Sequence, residues 1–216
     1  MRVLIAGQKR FGRDVLELVL KREWEVAAVS CPMDGGDKLH IAAMNHRLPL
    51  IDKALCAATM PRNCDLIVAA HCHSYLSAKT RTMATLGALG YHPSLLPRHR
   101  GRDAIAWTLR FGEKITGGSV FWLNDVVDGG DVAAQEICHG RPDDTALSLW
   151  MRDLAPLGLK LFSRVFNQLD RKVVVRKPQD SDLATWEPAL ENIPPLWRPD
   201  VPQIGSSKFQ IVREAD

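Results

Sequence analysis

His92 and Asp128 are the two side chains in this sequence whose types and surroundings best suit proton-transfer chemistry. The histidine enters the loop His92-Pro93-Ser94-Leu95-Leu96-Pro97-Arg98-His99-Arg100-Gly101. Each proline there fixes its own φ, removes a backbone donor and pushes the preceding residue away from helix. A stretch so constrained serves either as a corner of a sheet or as a working surface. A histidine in it is equally an acid/base or a hydrogen-bonded structural residue. Asp128 follows in the acidic, double-glycine turn of Phe121-Trp122-Leu123-Asn124-Asp125-Val126-Val127-Asp128-Gly129-Gly130-Asp131-Val132. One crossover helix and one strand can span the chain between the two. A carboxylate against an imidazole fixes its tautomer and favours its charged form, which is the pairing general acid/base catalysis uses. The spacing permits that contact without requiring it.

The elements that must position this pair read as an α/β fold with a Rossmann-like, mostly parallel sheet and helices on both faces. Residues 2–6 are an apolar run ending at Gly7, and Val15, Leu16, Val19 and Leu20 follow at helical spacing. The glycine turn between them, Gly7 to Gly12, matches neither the dinucleotide fingerprint nor a phosphate-binding P-loop. A tight turn packed on the sheet and an anion site at the helix N-terminus explain it about equally well. Residues 25–30 read as a second strand and 37–46 as a helix of mixed spacing, with 48–51 a short buried segment. Residues 65–70 form a near-continuous apolar run, as in a strand buried on both faces. His71-Cys72-His73-Ser74-Tyr75-Leu76 comes at its carboxyl end, where parallel sheets meet their ligands. Residues 86–91 lead into His92, 104–110 are helical, and 119–123 and 132–138 are strands, with Trp107 and Trp122 assigned to the core. Asp143, Asp144 and Thr145 signal a helix start. Leu147, Trp150, Met151, Leu154, Leu157, Leu161, Val165 and Leu169 then form one long apolar stripe. Val173-Val174-Val175 is a last strand candidate. Pro188, Pro194, Pro195, Pro199 and Pro202 deny regular structure further on. Residues 1–185 are therefore expected to be the catalytic domain and 186–216 a proline-rich tail packed on it.

Composition narrows the function. A chain of 216 residues with 46% hydrophobic side chains can bury one substantial core. A formal charge of +3, from 28 basic and 25 acidic residues, gives no broad nucleic-acid footprint. Lys9-Arg10 or Arg98-His99-Arg100 could still hold a single anionic group. Five scattered cysteines fit reduced thiols in a cytoplasmic protein rather than a disulfide framework. His71-Cys72-His73 lacks a second ligand cluster, so no metal is expected. No apolar run approaches a membrane span and no signal peptide is visible, so no membrane association is expected either.

The runs YHPSLLPRHRG, AIAWTL and GG-SVFW-ND-VDGGDV-AQ resemble the formyltransferase family that uses 10-formyltetrahydrofolate, which includes glycinamide ribonucleotide and methionyl-tRNA formyltransferases. The tyrosine before the motif histidine and the GQ-x-x-FG turn are particularly similar to the hydrolase domain of 10-formyltetrahydrofolate dehydrogenase. The likeness extends from residue 1 to about residue 185. It implies the formyltransferase fold, 10-formyltetrahydrofolate as co-substrate, and transfer of its formyl group to the amine of a small-molecule acceptor. Hydrolysis to formate, or folate binding without turnover, are the alternatives. The resemblance further implies that His92 stabilises the oxyanion and moves protons while Asp128 orients it. Ser74, Tyr75, Leu76, Asp125 and Val127 are then the folate-binding positions, and Gln8, Lys9 and Arg10 lie beside the acceptor. Most of the family has asparagine two residues before the histidine, where this chain has Gly90. An oxyanion donor of that kind is worth about 2.7–4 kcal/mol, so its loss bears on the reaction performed. Too few residues remain for a counterpart of the separate C-terminal domain of methionyl-tRNA formyltransferases, so with the modest charge tRNA is not the expected acceptor. Oligomeric state leaves no mark on the sequence.

Overall fold

A computed structural model describes residues 1–72 and 74–192. One seven-stranded sheet runs in the order β3-β2-β1-β4-β5-β6-β7. Its strands are β1 (Arg2–Gly7), β2 (Glu25–Ser30), β3 (Leu50–Ile51), β4 (Leu66–Ala70), β5 (Ala88–His92), β6 (Ile115–Trp122) and β7 (Val132–His139). β1 to β5 are mutually parallel, whereas β6 and β7 are antiparallel to their neighbours. The sequence pattern predicts this mostly parallel sheet.

Two layers cover it. On one face α1 (Lys9–Leu20), α2 (Lys38–Asn45) and α6 (Ala155–Asp170) set Val15, Leu16, Leu39, Leu161 and Phe162 against Val3, Ile5, Val68 and Val120. Each such fully buried side chain contributes about 1.5–3 kcal/mol. On the other face Leu4, Ala6, Ile67 and Ala88 pack under Leu55, Met60, Leu76 and Ala84. That cover is mostly irregular chain, with only the short α3 (Ala78–Arg81) between Leu76 and Ala84. Trp107, on α4 (Ala104–Arg110), and Trp122 are both buried, as expected. All five cysteines are unpaired. Among the described residues no helix is long and apolar enough to cross a membrane.

Three expectations are corrected. The helical stripe from Leu147 is not continuous: α5 (Ala146–Leu149), opened by a capping box of Thr145 and Ser148, passes through a π-turn at Trp150–Leu154 before α6. Pro156 has no N–H for the Arg152 carbonyl, so the regular ladder cannot run through. The wider turn breaks the stripe, leaving Leu147 69% and Met151 46% exposed. Val173–Val175 is not a strand. Beyond α6 the described chain pairs with the sheet only at a single bridge, Lys177 to Val132, and the three valines stay exposed. The segment around Leu50 forms β3, but as a half-buried edge strand rather than a buried one.

Of the proline-rich tail, 193–216 lie outside the described residues. The part before them lies on the domain. The Trp186 ring stands against Gly101, the Trp107 indole donates to the Pro188 carbonyl at 2.8 Å, and Arg102 pairs with Glu191 at 2.6 Å.

Candidate active site

β5 ends in His92, which pairs across the sheet with Ser119 of β6. Ser119, one of two hydroxyls in β6 with Thr116, satisfies the proline loop. Its Oγ donates to the Ser94 carbonyl at 2.7 Å and accepts from the Leu96 N–H at 3.1 Å. Gln135 Nε2 donates to the Leu96 carbonyl and to Ser119 Oγ at 2.9 and 2.8 Å. Buried loop backbone must find such partners, and these two side chains supply them from neighbouring strands.

The loop then doubles back onto its own histidine. His92 Nε2 lies 2.7 Å from the His99 carbonyl oxygen. A carbonyl only accepts, so Nε2 carries the proton and Nδ1 is the nitrogen whose proton can come and go. Asp128 stands there, with Oδ2 3.5 Å from Nδ1. The same oxygen accepts from the Gly101 N–H at 2.8 Å. The two side chains are 9% and 18% exposed respectively, dry enough for charge to matter. The sequence thus brings imidazole and carboxylate together, but the ring is oriented by the His99 carbonyl as well as by the acid.

The Asp128 turn is built for that placement. Asn124 Oδ1 accepts from the Val126 N–H at 2.9 Å, and Asp128 takes a left-handed φ of 51°. Gly130 is required, because a Cβ there would overlap the Trp122 carbonyl. Arg81, which sequence reasoning missed, ties this turn to the loop after β4. Its buried guanidinium donates to the Leu76 carbonyl and, at 2.6 Å, to Asp125. An arginine in a four-residue helix carries no local signal of such a role.

A cavity of about 910 Å³ opens over the pair, walled by Tyr75, Leu76, Val127, Trp150 and Trp186 as well as His92 and Asp128. Gly90 belongs to the same wall. A Cβ at that position would stand 3.0 Å from Leu123 Cδ2 and 3.2 Å from Phe121 Cε1, so an apolar surface occupies the place of any side chain there. A second cavity of about 410 Å³ lies at the carboxyl ends of β1, β2 and β4 and includes Gln8, Cys31, Lys53 and Leu55. The two share His71, Cys72 and Ser74. Burial pushes the Cys72 thiol up, and burial with Asp37 and Asp34 nearby pushes Cys31 up to about 11. Both are neutral thiols at ordinary pH and poor nucleophiles.

Not every expected position reaches a cavity. Ser74, Tyr75, Leu76 and Val127 line the larger one and Gln8 the smaller. Asp125 turns to Arg81 instead, 75% exposed. Lys9 and Arg10 line neither cavity. Arg10 lies 3.6 Å from Asp14 along α1, and the Lys9 backbone N–H donates to Asp37 at 2.6 Å. Among the described residues no three His, Cys, Asp or Glu side chains are grouped to hold a metal.

Residues 1–165 match the family model described as Formyl transferase. The chain belongs to the formyl transferase family. It is 33% identical over 201 residues to the mitochondrial 10-formyltetrahydrofolate dehydrogenase of Mus musculus, covering 87% of this chain but 22% of that protein. Among solved structures it is similar to phosphoribosylglycinamide formyltransferase from Bacillus halodurans, with TM-score 0.67, 21% identity, and 78% of this chain and 95% of that one covered. It is also similar to an N-formyltransferase from Helicobacter canadensis, solved with folinic acid and dTDP-3-aminofucose, with TM-score 0.72, 17% identity, and coverage of 86% and 70%. Those structural likenesses establish a shared fold. The family match fixes the chain as a formyl transferase and leaves the acceptor of the formyl group open.

Proposed function

We propose that this formyl transferase moves the formyl group of 10-formyltetrahydrofolate to the amine of a small-molecule acceptor. The observation that carries this reading is the pair of adjoining cavities. The larger, over His92 and Asp128, has room for a reduced folate, and the smaller gives an acceptor a place of its own. Ser74, Tyr75, Leu76 and Val127 face the folate in this reading, and Asp125 acts through Arg81. Gln8 and Lys53 face the acceptor, with Lys9 and Arg10 outside it.

The amine nitrogen attacks the formyl carbon, a C–N bond forms and the carbonyl oxygen becomes an oxyanion. His92 Nδ1 takes the proton lost by the attacking nitrogen. Asp128 stabilises the imidazolium so formed, which in turn faces the oxyanion with positive charge. The bond from carbon to N10 then breaks, and the proton passes to N10. The products are an N-formylated amine and tetrahydrofolate.

Hydrolysis is the second reading, favoured by Gly90. Without a side-chain donor there, the oxyanion has less support from β5, and water would take the place of the amine. The dehydrogenase likeness points the same way. Donor consumption measured with and without a panel of amines separates the readings. Consumption only with an amine, yielding its N-formyl derivative, supports transfer. Consumption without amine, yielding formate, supports hydrolysis. Folate binding with no consumption in either case leaves a binding protein and refutes both.

A further inference from the structure

The turn carrying Asp128 and the loop carrying His92 come from separate parts of the chain, and a third part braces them. Gln179 lies between the two. Its Oε1 accepts from Arg100 Nε at 3.1 Å and Nη2 at 2.7 Å. Its Nε2 donates to the carbonyls of Asp128 at 2.8 Å and Gly130 at 2.7 Å. The amide therefore spends both donors on the aspartate turn and its oxygen on the histidine loop, which is its whole ordinary capacity. Its own backbone is anchored, since Lys177 and Val132 exchange hydrogen bonds of 3.0 and 2.8 Å two residues earlier. On the loop side the Arg100 N–H donates to the Thr185 carbonyl at 3.0 Å.

We infer that Gln179, acting with Arg100, is a positioning residue that sets the separation between Asp128 and His92. The inference rests on the proposed role of that pair. Neither Gln179 nor Arg100 lines either cavity, so neither touches substrate. Asp128 is left-handed at φ 51°, a conformation that surrounding structure has to hold in place for a non-glycine residue. The Gly101 N–H holds one carboxylate oxygen, and the two carbonyl contacts from Gln179 hold the turn's backbone. Only a side-chain amide answers both ends: a carboxylate would accept from Arg100 but would set an anion against two carbonyl oxygens.

The test uses the full chain with Gln179→Ala, the near-isosteric Gln179→Glu, Arg100→Ala and the double variant Gln179→Ala/Arg100→Ala. A displacement of about 1 Å at a reacting group costs up to about 100-fold in rate. Gln179→Ala is therefore expected to lower kcat about 10–100-fold, with KM for 10-formyltetrahydrofolate and calorimetric affinity for folinic acid within about twofold. Its pH–rate profile moves toward that of Asp128→Asn. Gln179→Glu is similarly slow while still melting in one cooperative transition well above the assay temperature, which excludes general unfolding. The double variant is no slower than Gln179→Ala, because one strut is removed once. Wild-type kcat in Gln179→Ala and Gln179→Glu overturns the inference, as does full additivity in the double variant. Hydrogen exchange at the Gly101 amide gives a readout without turnover: faster exchange in Gln179→Ala supports the strut, and unchanged exchange overturns it. Should the wild-type chain consume no donor at all, the proposed function fails while this exchange measurement still decides the strut.

Discussion

Replacing Asp128 by Asn removes one charge from the site and little else. The amide oxygen can still accept from the Gly101 N–H, now 2.8 Å from Oδ2, so the turn has a reason to stay where it is. What is lost is the attraction between the carboxylate and the imidazolium that forms when Nδ1 takes a proton. At the observed 3.5 Å, two unit charges in an effective dielectric of about 20 interact by about 5 kcal/mol. Tenfold in rate corresponds to about 1.4 kcal/mol, so the full term would amount to more than about 1,000-fold. The 18% exposure of the Asp128 side chain lets solvent screen part of it, and the expected fall in kcat is about 100- to 1,000-fold. The assay is steady-state consumption of 10-formyltetrahydrofolate with the productive acceptor, products separated by chromatography, alongside a thermal melt. The melt is expected to move little. Turnover within about threefold of wild type, in a folded variant, would show that the carboxylate does not act on His92 and would refute the acid/base assignment.

Two further outcomes test other parts of the site. Arg81→Met removes the link between the Leu76 carbonyl and Asp125 without touching His92. It is expected to raise KM for the folate donor about tenfold while leaving kcat close to wild type, and a fall in kcat alone would contradict that division. The thiols also differ in reactivity. Thr59 hydrogen bonding lowers the exposed Cys56 thiol below its ordinary value, whereas burial and two nearby aspartates raise Cys31 to about 11. Iodoacetamide at pH 7–8, read by peptide mass spectrometry, is therefore expected to label Cys56 first, with Cys31 labelling earlier counting against the structure.

Those features of the site that rest on short-range signals are legible in the chain. Gly129 and Gly130 after Asp128, and Pro93 and Pro97 after His92, announce turns at the ends of apolar runs, so the chain alone places both side chains at strand ends. Val173–Val175 misleads for the opposite reason. Three β-branched residues favour a strand locally, but a strand needs a partner edge. Here one bridge at Lys177 and the Trp122 indole on the Val175 carbonyl take up the chain instead. Pro156 could have warned of the break before α6, yet the apolar spacing on either side hides it. Arg81 and Gln179 leave no local trace at all, since their partners are fixed only when distant turns meet.

The basic run Arg98-His99-Arg100 shows how tertiary pairing reassigns a charge cluster. Read alone, it offers a place for an anionic group. In the fold each member is already engaged from within. Arg98 pairs with Glu113, Arg100 holds Gln179, and the His99 ring lies between Glu113 Oε2 at 3.1 Å and Glu187 Oε2 at 3.0 Å, 1% exposed and stacked near Phe111. The His99 backbone does as much as its ring. Its N–H donates to Thr185 Oγ1 at 2.8 Å while its carbonyl holds His92 Nε2. Two glutamates and one amide, drawn from helix-flanking and C-terminal segments, take up the three side chains and so fix the His99 carbonyl against the His92 ring. The charge that looks like a binding site is therefore spent on orientation, and under the proposed transfer the cation left to meet an anionic acceptor is Lys53, which lines the smaller cavity.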